Sequence, residues 1–215
     1  MTGRGSVAGL AGIRPAPRSL RAQAVFLPNL ITYARILAIP AVMVVMQQGS
    51  RRYALLAATL FSLASVTDVL DGYLARRLNQ VSMIGKFLDP LADKLIVLGA
   101  SVMLVELGRV SSWLVFIIIS REIVITTLRT IAMGEGVVIA ARNLGKWKTA
   151  FQMTGLAALI LHYDYPLPVV GVVSFHLVGM ALLLASIVLS LWSAGDYFFA
   201  FFRTIRARDT DLATK

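Results

Sequence analysis

The 215-residue chain is 58% hydrophobic and 15% charged, holds no cysteine and carries a net charge of +10. Water-soluble domains average ~45–50% apolar and ~25% charged residues, so this composition excludes disorder, a collagen-like fibre and most water-soluble enzymes. The absence of cysteine excludes disulfides, Cys-ligated zinc, iron–sulfur clusters and thiol catalysis, and the basic excess fits loops facing anionic lipid better than nucleic acid.

Residues 1–25 are rich in Gly, Ala, Pro and Arg (Arg4, Arg14, Arg18, Arg21) and lack a hydrophobic period. They read as a basic cytoplasmic arm with a short juxtamembrane helix near Leu20–Phe26. A signal peptide does not fit: the following apolar stretch is too long, carries Arg35 and lacks a small-residue cleavage site. Six apolar segments follow, at 29–47, 54–76, 84–107, 112–133, 146–163 and 168–195, each near the ~20 residues that cross a bilayer. The breaks at Gly49–Arg52, Asn79–Ser82, Gly108-Arg109, Gly134–Gly136 and Asp164–Pro168 are too short for a second domain. The expected fold is therefore all-α: a polytopic membrane protein with six transmembrane helices over 26–200 and a basic cytoplasmic tail over 201–215. With both termini inside, 14 Lys and Arg face the cytoplasm, three (Arg51, Arg52, Arg109) face the other side, and Arg35, Lys94, Arg121 and Arg129 lie within spans. That bias sets the orientation.

Ionisable groups inside spans need a reason. Asp68 and Asp71 lie in the second segment, Asp89 and Asp93 in the third. Each costs ~2.5–3.5 kcal/mol at mid-bilayer, so four unpaired central carboxylates would cost roughly 10–14 kcal/mol. Asp68, Asp71, Gly72, Ala75 and Arg76 fall at i, i+3, i+4, i+7 and i+8, one stripe of a helix; Gly85, Asp89 and Asp93 form a second stripe. The short connection at 77–83 makes the two helices antiparallel neighbours, so the stripes can converge near the cytoplasmic surface. Carboxylates without His or Cys suit Mg²⁺ or Mn²⁺, and four of them suit two ions. Gly72, Ala75 and Gly85 leave room either for close helix packing or for a flat nucleotide. Arg76 either snorkels to the interface or grips a phosphate.

The pattern Asp68-x2-Asp71-Gly72-x2-Ala75-Arg76-x8-Gly85-x3-Asp89-x3-Asp93 resembles the complete signature of the CDP-alcohol phosphatidyltransferases. The flanking Pro28-Asn29-Leu30-Ile31-Thr32-x2-Arg35, Ser120-Arg121-Glu122-Ile123, Leu128-Arg129 and Asn143–Thr149-x2-Gln152 are similar to the phosphatidylglycerophosphate synthase branch of that family. Val69 departs from the aromatic residue common after the first aspartate, and the arm 1–24 has no counterpart; neither touches a ligand position. The resemblance implies a homodimer that attacks CDP-diacylglycerol with sn-glycerol 3-phosphate and releases CMP. It implies metal on Asp68, Asp71, Asp89 and Asp93, with Asp93 also the general base. It assigns Gly72, Ala75, Arg76, Gly85, Asn29 and Thr32 to the CDP group.

A phosphorylated acceptor needs cations near the metals, and Arg121, Arg129, Arg142, Lys146 and Lys148 are the candidates. Arg121 and Arg129, eight apart, share a helix face. Arg121 has a plainer alternative in neutralising Glu122, and Lys146 and Lys148 in marking the cytoplasmic side. Asn29 and Thr32, after Pro28, double as capping residues for the first helix. His162 and His176 read as isolated packed or interfacial residues, Tyr163, Tyr165 and Trp192 as belt aromatics, and Arg203–Arg208 as a lipid contact. Two alternatives stay open: another acceptor (phosphatidylglycerol, as in cardiolipin synthase, or inositol phosphate), and a Mg²⁺ transporter with carboxylates on an ion path.

Overall fold

A computed structural model describes residues 26–77, 83–134, 144–168 and 171–213. Six helices carry almost all of it: α1 (Leu27–Gln47), α2 (Arg51–Arg77), α3 (Met83–Glu106), α4 (Ser112–Gly134), α5 (Leu144–Leu161) and α6 (Phe175–Ala213). A two-stranded antiparallel hairpin, β1 (Asp164–Leu167) and β2 (Gly171–Ser174), joins α5 to α6. The helices coincide with the six apolar segments to within a few residues, except at the last. There the hairpin occupies the expected start of the segment, and the helix runs on to Ala213, so the described part of the expected tail is its final turns. Residues 1–25 lie outside the described residues.

The helix ends follow their chemistry. Pro28 sits in the first turn of α1, where a missing N–H costs nothing. The N-cap is Phe26, with no side-chain cap bond; Asn29 and Thr32 lie within the helix and are both buried. Gly49 and Gly108 adopt positive φ at the ends of α1 and α3. At the second, the amides of Arg109 and Val110 return to the Leu104 carbonyl, closing the last turn.

Packing is helix on helix. Among the described residues α1 lies against both α2 and α3, α2 against α5, and α5 makes its most extensive contact with α6. Phe61, Met103, Leu104, Leu156, Leu159 and Leu183 form the buried centre. The crossing of α5 and α6 is close because two glycines meet there: a Cβ on Gly155 would lie 3.1 Å from the Gly179 carbonyl, and one on Gly179 would lie 2.9 Å from the Gly155 carbonyl. Small residues of this kind let helix backbones approach.

The outer surface is apolar as well. Leu37, Phe116, Ile123, Leu177, Val188 and Phe199 are all exposed, an all-round hydrophobicity that suits lipid better than water. Over Asn29–Gln47 and Phe175–Arg206 the chain is long and apolar enough to cross a membrane. At ~1.5 Å per residue α6 is far longer than a ~30 Å hydrocarbon layer.

The hairpin ties the end of the bundle away from the aspartates. Tyr163 donates its hydroxyl to the Gly49 carbonyl and Tyr165 to that of Arg51, whose guanidinium lies 4.6 Å from the Tyr165 ring centre. These two tyrosines clasp the α1–α2 turn, beyond any belt role. His162 and His176 are not isolated either: their rings meet edge to face, 5.0 Å apart.

Candidate active site

Asp89 and Asp93 lie one turn apart on α3, and Pro90 between them has no N–H to return to the carbonyl four residues back. Thr32, buried on α1, donates its hydroxyl to Asp89 Oδ1 at 3.0 Å, which orients that carboxylate from the neighbouring helix. Asn29 is buried one turn before Thr32, Arg35 one turn after it, and Gly85 is buried one turn before Asp89. The structure thus joins Thr32 and Asp89 across the α1–α3 contact, with Asn29 and Gly85 buried one turn away on their respective helices.

Asp93 opens onto a cavity of about 930 Å³ among α3, α4, α5 and α6. Its cations are Lys94, Arg121, Arg129, Lys148 and Arg203; its anions are Asp93, Glu122 and Asp196. Three of the five proposed phosphate-binding residues, Arg121, Arg129 and Lys148, line this one cavity; the eight-residue spacing puts the first two on one face of α4, while Lys148 joins them from α5. Lys148 lies within electrostatic range of Arg121, Arg129 and Glu122. Lys94 spans from α3 to α4 by donating to Thr126 Oγ1 at 3.0 Å.

Arg121 is the unusual member. Its side chain is only 6% exposed, and its nearest anion is Glu122 Oε2, 2.9 Å from Nη1. The contact is an ion pair without hydrogen-bond alignment, since Nε and Nη1 find no acceptor among the described residues. A buried guanidinium in the wall of a cavity, with donors that lack an aligned acceptor, is chemically suited to an oxyanion once its surroundings shift to expose it.

Of Asp68, Asp71, Gly72, Ala75 and Arg76 the structure describes the backbone, all within α2; of Lys146, likewise, the backbone at the start of α5. Arg142 lies outside the described residues. Among the described side chains no group of three His, Cys, Asp or Glu gathers.

Sequence reasoning missed the contribution of α6. Ser193, Asp196, Tyr197 and Ala200 all line the cavity at i, i+3, i+4 and i+7. That stripe is a detectable signal, but the expected end of the segment at 195 cut it in two. Arg203, read as a lipid contact, lies on the same wall. Thr126 carries no motif of its own, and Glu122 figures only as a neighbour of Arg121 within the Ser120–Ile123 motif.

The CDP-alcohol phosphatidyltransferase family matches residues 25–193, most of the chain. The chain belongs to that family. Members of this family generally use a divalent metal, and the all-oxygen donors on α3 fit one. A CDP-diacylglycerol–glycerol-3-phosphate 3-phosphatidyltransferase of Bacillus subtilis is 43% identical over 184 residues, covering 80% of this chain and 93% of the relative. The Haemophilus influenzae protein of the same name is 35% identical over 176 residues, covering 80% and 90%. A CMP-forming cardiolipin synthase of Oryza sativa is 35% identical over 196 residues, covering 85% of this CDP-alcohol phosphatidyltransferase and 59% of the plant protein.

Proposed function

We propose that the chain transfers the phosphatidyl group of CDP-diacylglycerol to sn-glycerol 3-phosphate, giving phosphatidylglycerophosphate and CMP. One observation carries the acceptor: the buried Arg121 lines the same cavity as Asp93, so a cation for phosphate and an acid–base carboxylate share one chamber.

Asp68, Asp71, Asp89 and Asp93 hold the metal, Mg²⁺ or Mn²⁺ and two ions by the carboxylate count. Bound there, divalent metal neutralises the pyrophosphate and the developing charge on the leaving CMP. Arg121, Arg129, Arg142, Lys146 and Lys148 hold the acceptor phosphate, and this fixes the glycerol hydroxyl toward Asp93. Asp93 takes the hydroxyl proton as the oxygen attacks the phosphorus bearing diacylglycerol. The bond from that phosphorus to the bridging oxygen breaks, and CMP leaves with the electron pair. Asn29, Thr32, Gly72, Ala75, Arg76 and Gly85 line the CDP side, where glycines and Ala75 allow close approach.

All six helices span the membrane in this reading, with both termini and the site cytoplasmic, supported by the 14-to-3 distribution of cations. The enzyme acts as a homodimer. A second reading takes phosphatidylglycerol as the acceptor, but the relatives at 43% and 35% identity over most of their length carry the glycerol-3-phosphate name.

The test is CMP release by the purified protein in detergent with CDP-diacylglycerol and Mg²⁺ or Mn²⁺, comparing glycerol 3-phosphate, phosphatidylglycerol, inositol phosphate and no acceptor. Turnover with glycerol 3-phosphate alone, reduced ~10²–10⁴-fold in Asp93→Asn, is expected. Turnover only with phosphatidylglycerol would move the chain to the second reading.

A further inference from the structure

Glu122 contacts Arg121 although the two are adjacent on α4. Neighbouring helical residues point about 100° apart and do not normally face each other. The pairing exists because a guanidinium buried to this degree has no other described anion within reach and cannot lose its proton. The partners are unequal: the Arg121 side chain is 6% exposed, that of Glu122 46%. Arg121 is fixed in the wall of the cavity, whereas Glu122 can withdraw to solvent at little cost.

We propose that Glu122 is the placeholder anion of the cavity, holding the Arg121 guanidinium while the acceptor is absent and surrendering it when a phosphate arrives. This rests on the phosphate-acceptor reading of the cavity. Glu122 is thus a positioning residue that acts through Arg121. It keeps the buried cation neutralised between turnovers, and its competition raises the concentration of acceptor needed for saturation. The imperfect alignment of the pair fits this role, because a contact at 2.9 Å without hydrogen-bond geometry holds the guanidinium less firmly than an aligned charged hydrogen bond would.

The test is steady-state kinetics of the full chain with Glu122→Gln, which removes the charge and keeps the shape. The KM for glycerol 3-phosphate should fall about two- to fivefold, the range for a half-exposed ion pair. Inhibition by inorganic phosphate should tighten by the same factor, and the KM for CDP-diacylglycerol should stay put. Glu122→Asp should restore values near those of the native chain. A KM for glycerol 3-phosphate that is unchanged or raised in Glu122→Gln would overturn the proposal, as would a parallel change in both KM values, which marks a general structural role. Glu122→Ser, with the same expectation, serves if Glu122→Gln does not fold. Absence of turnover in the native chain would instead count against the transferase reading, so the two failures are distinct.

Discussion

Thr32 and Asp89 are 57 residues apart in the chain and 3.0 Å apart in the fold, the hydroxyl on α1 donating to the carboxylate on α3. Thr32 is 1% exposed, so the bond is shielded from competing water. A hydrogen bond to a charged group contributes ~1.5–3 kcal/mol, and partners that orient a metal-ligating carboxylate typically matter 10–100-fold in metal affinity or activity. Thr32→Val should lower thermal stability by about 1–3 kcal/mol and CMP release by about 10–100-fold. Thr32→Ser should keep most of both. Raising Mg²⁺ should recover part of the lost activity; no recovery would leave Thr32 its place on the CDP side and remove its role in orienting the metal-binding carboxylate.

Arg121 cannot be replaced by an equivalent cation. Its planar fork suits two-point recognition of an oxyanion, which lysine offers only as a point charge. Arg121→Lys should raise the KM for glycerol 3-phosphate by about tenfold and Arg121→Gln by more, from the ~1.5–3 kcal/mol of a charged hydrogen bond. The KM for CDP-diacylglycerol should move less. Equal changes in both would remove Arg121 from the acceptor side.

Arg109, counted from sequence as one of three far-side charges, is buried, and its Nη1 donates to the Ile160 carbonyl at 2.8 Å and the Leu159 carbonyl at 3.4 Å. It thereby satisfies the C-terminal carbonyls of α5. Burial holds its pKa below the usual arginine value, with Tyr163 opposing that shift. Arg109→Met should cost about 2 kcal/mol, because the carbonyls lose a charged donor. Thermal unfolding in detergent checks this, and kinetics at a temperature where the variant is folded should show both KM values unchanged.

Much of this arrangement is legible in the sequence because period and length act locally. The i, i+4 spacing of Gly85, Asp89 and Asp93 places them on one stripe whatever packs against it, and the six apolar segments mark the helices. Long-range pairing is not encoded in this way. Nothing in the local sequence links Thr32 to Asp89, Arg109 to Ile160 or His162 to His176, and Tyr165 looks like any interfacial aromatic until the hairpin folds back on the α1–α2 turn. The hairpin itself was hidden because Pro166 and Pro168 read as a simple break. The end of α6 was lost because Asp196 and the arginines after it lower hydropathy without lowering helix propensity.

His162 gives the bundle a pH dependence with a definite sign. It follows α5 at φ 61°, packs edge to face on His176, and its Nδ1 is buried without a partner among the described residues. Burial, then Arg109 and His176, push its pKa below the ordinary histidine value, while Asp164 acts the other way. The folded chain therefore binds this proton less readily than the unfolded chain. Stability is fully present above the unfolded pKa of ~6.5 and declines as pH falls through it toward the lower folded value. Melting temperatures measured from pH 8 to pH 5 should drop, and His162→Gln should flatten the lower part of that curve. An unaltered slope in the variant would assign the acid sensitivity elsewhere.

Gly155 and Gly179 set how closely α5 and α6 approach, and the obstruction each presents to a side chain is backbone. A Cβ on Gly179 would come within 2.8 Å of the Leu159 amide nitrogen and 2.9 Å of the Gly155 carbonyl, while one on Gly155 would lie 3.0 Å from the Leu183 amide. Neither neighbour can rotate aside, so the helices must separate. Overpacking of this kind costs ~1–3 kcal/mol, more than the ~1 kcal/mol that alanine gains over glycine in helix propensity at its upper reach. Gly179→Ala should therefore destabilise the protein in detergent, and Gly155→Ala less so. Gly99→Ala should also destabilise, because its Cβ would lie 2.8 Å from Cγ2 of the buried, β-branched Ile39, which is held at χ1, while only Met43 can turn away. The cavity lies between these same helices: Lys148 and Gln152 on α5 face Asp196 and Arg203 on α6. A wider crossing should separate those walls, so Gly179→Ala should also raise the KM for glycerol 3-phosphate. A stabilised Gly179→Ala variant with unchanged kinetics would show that the two helices have slack at their crossing.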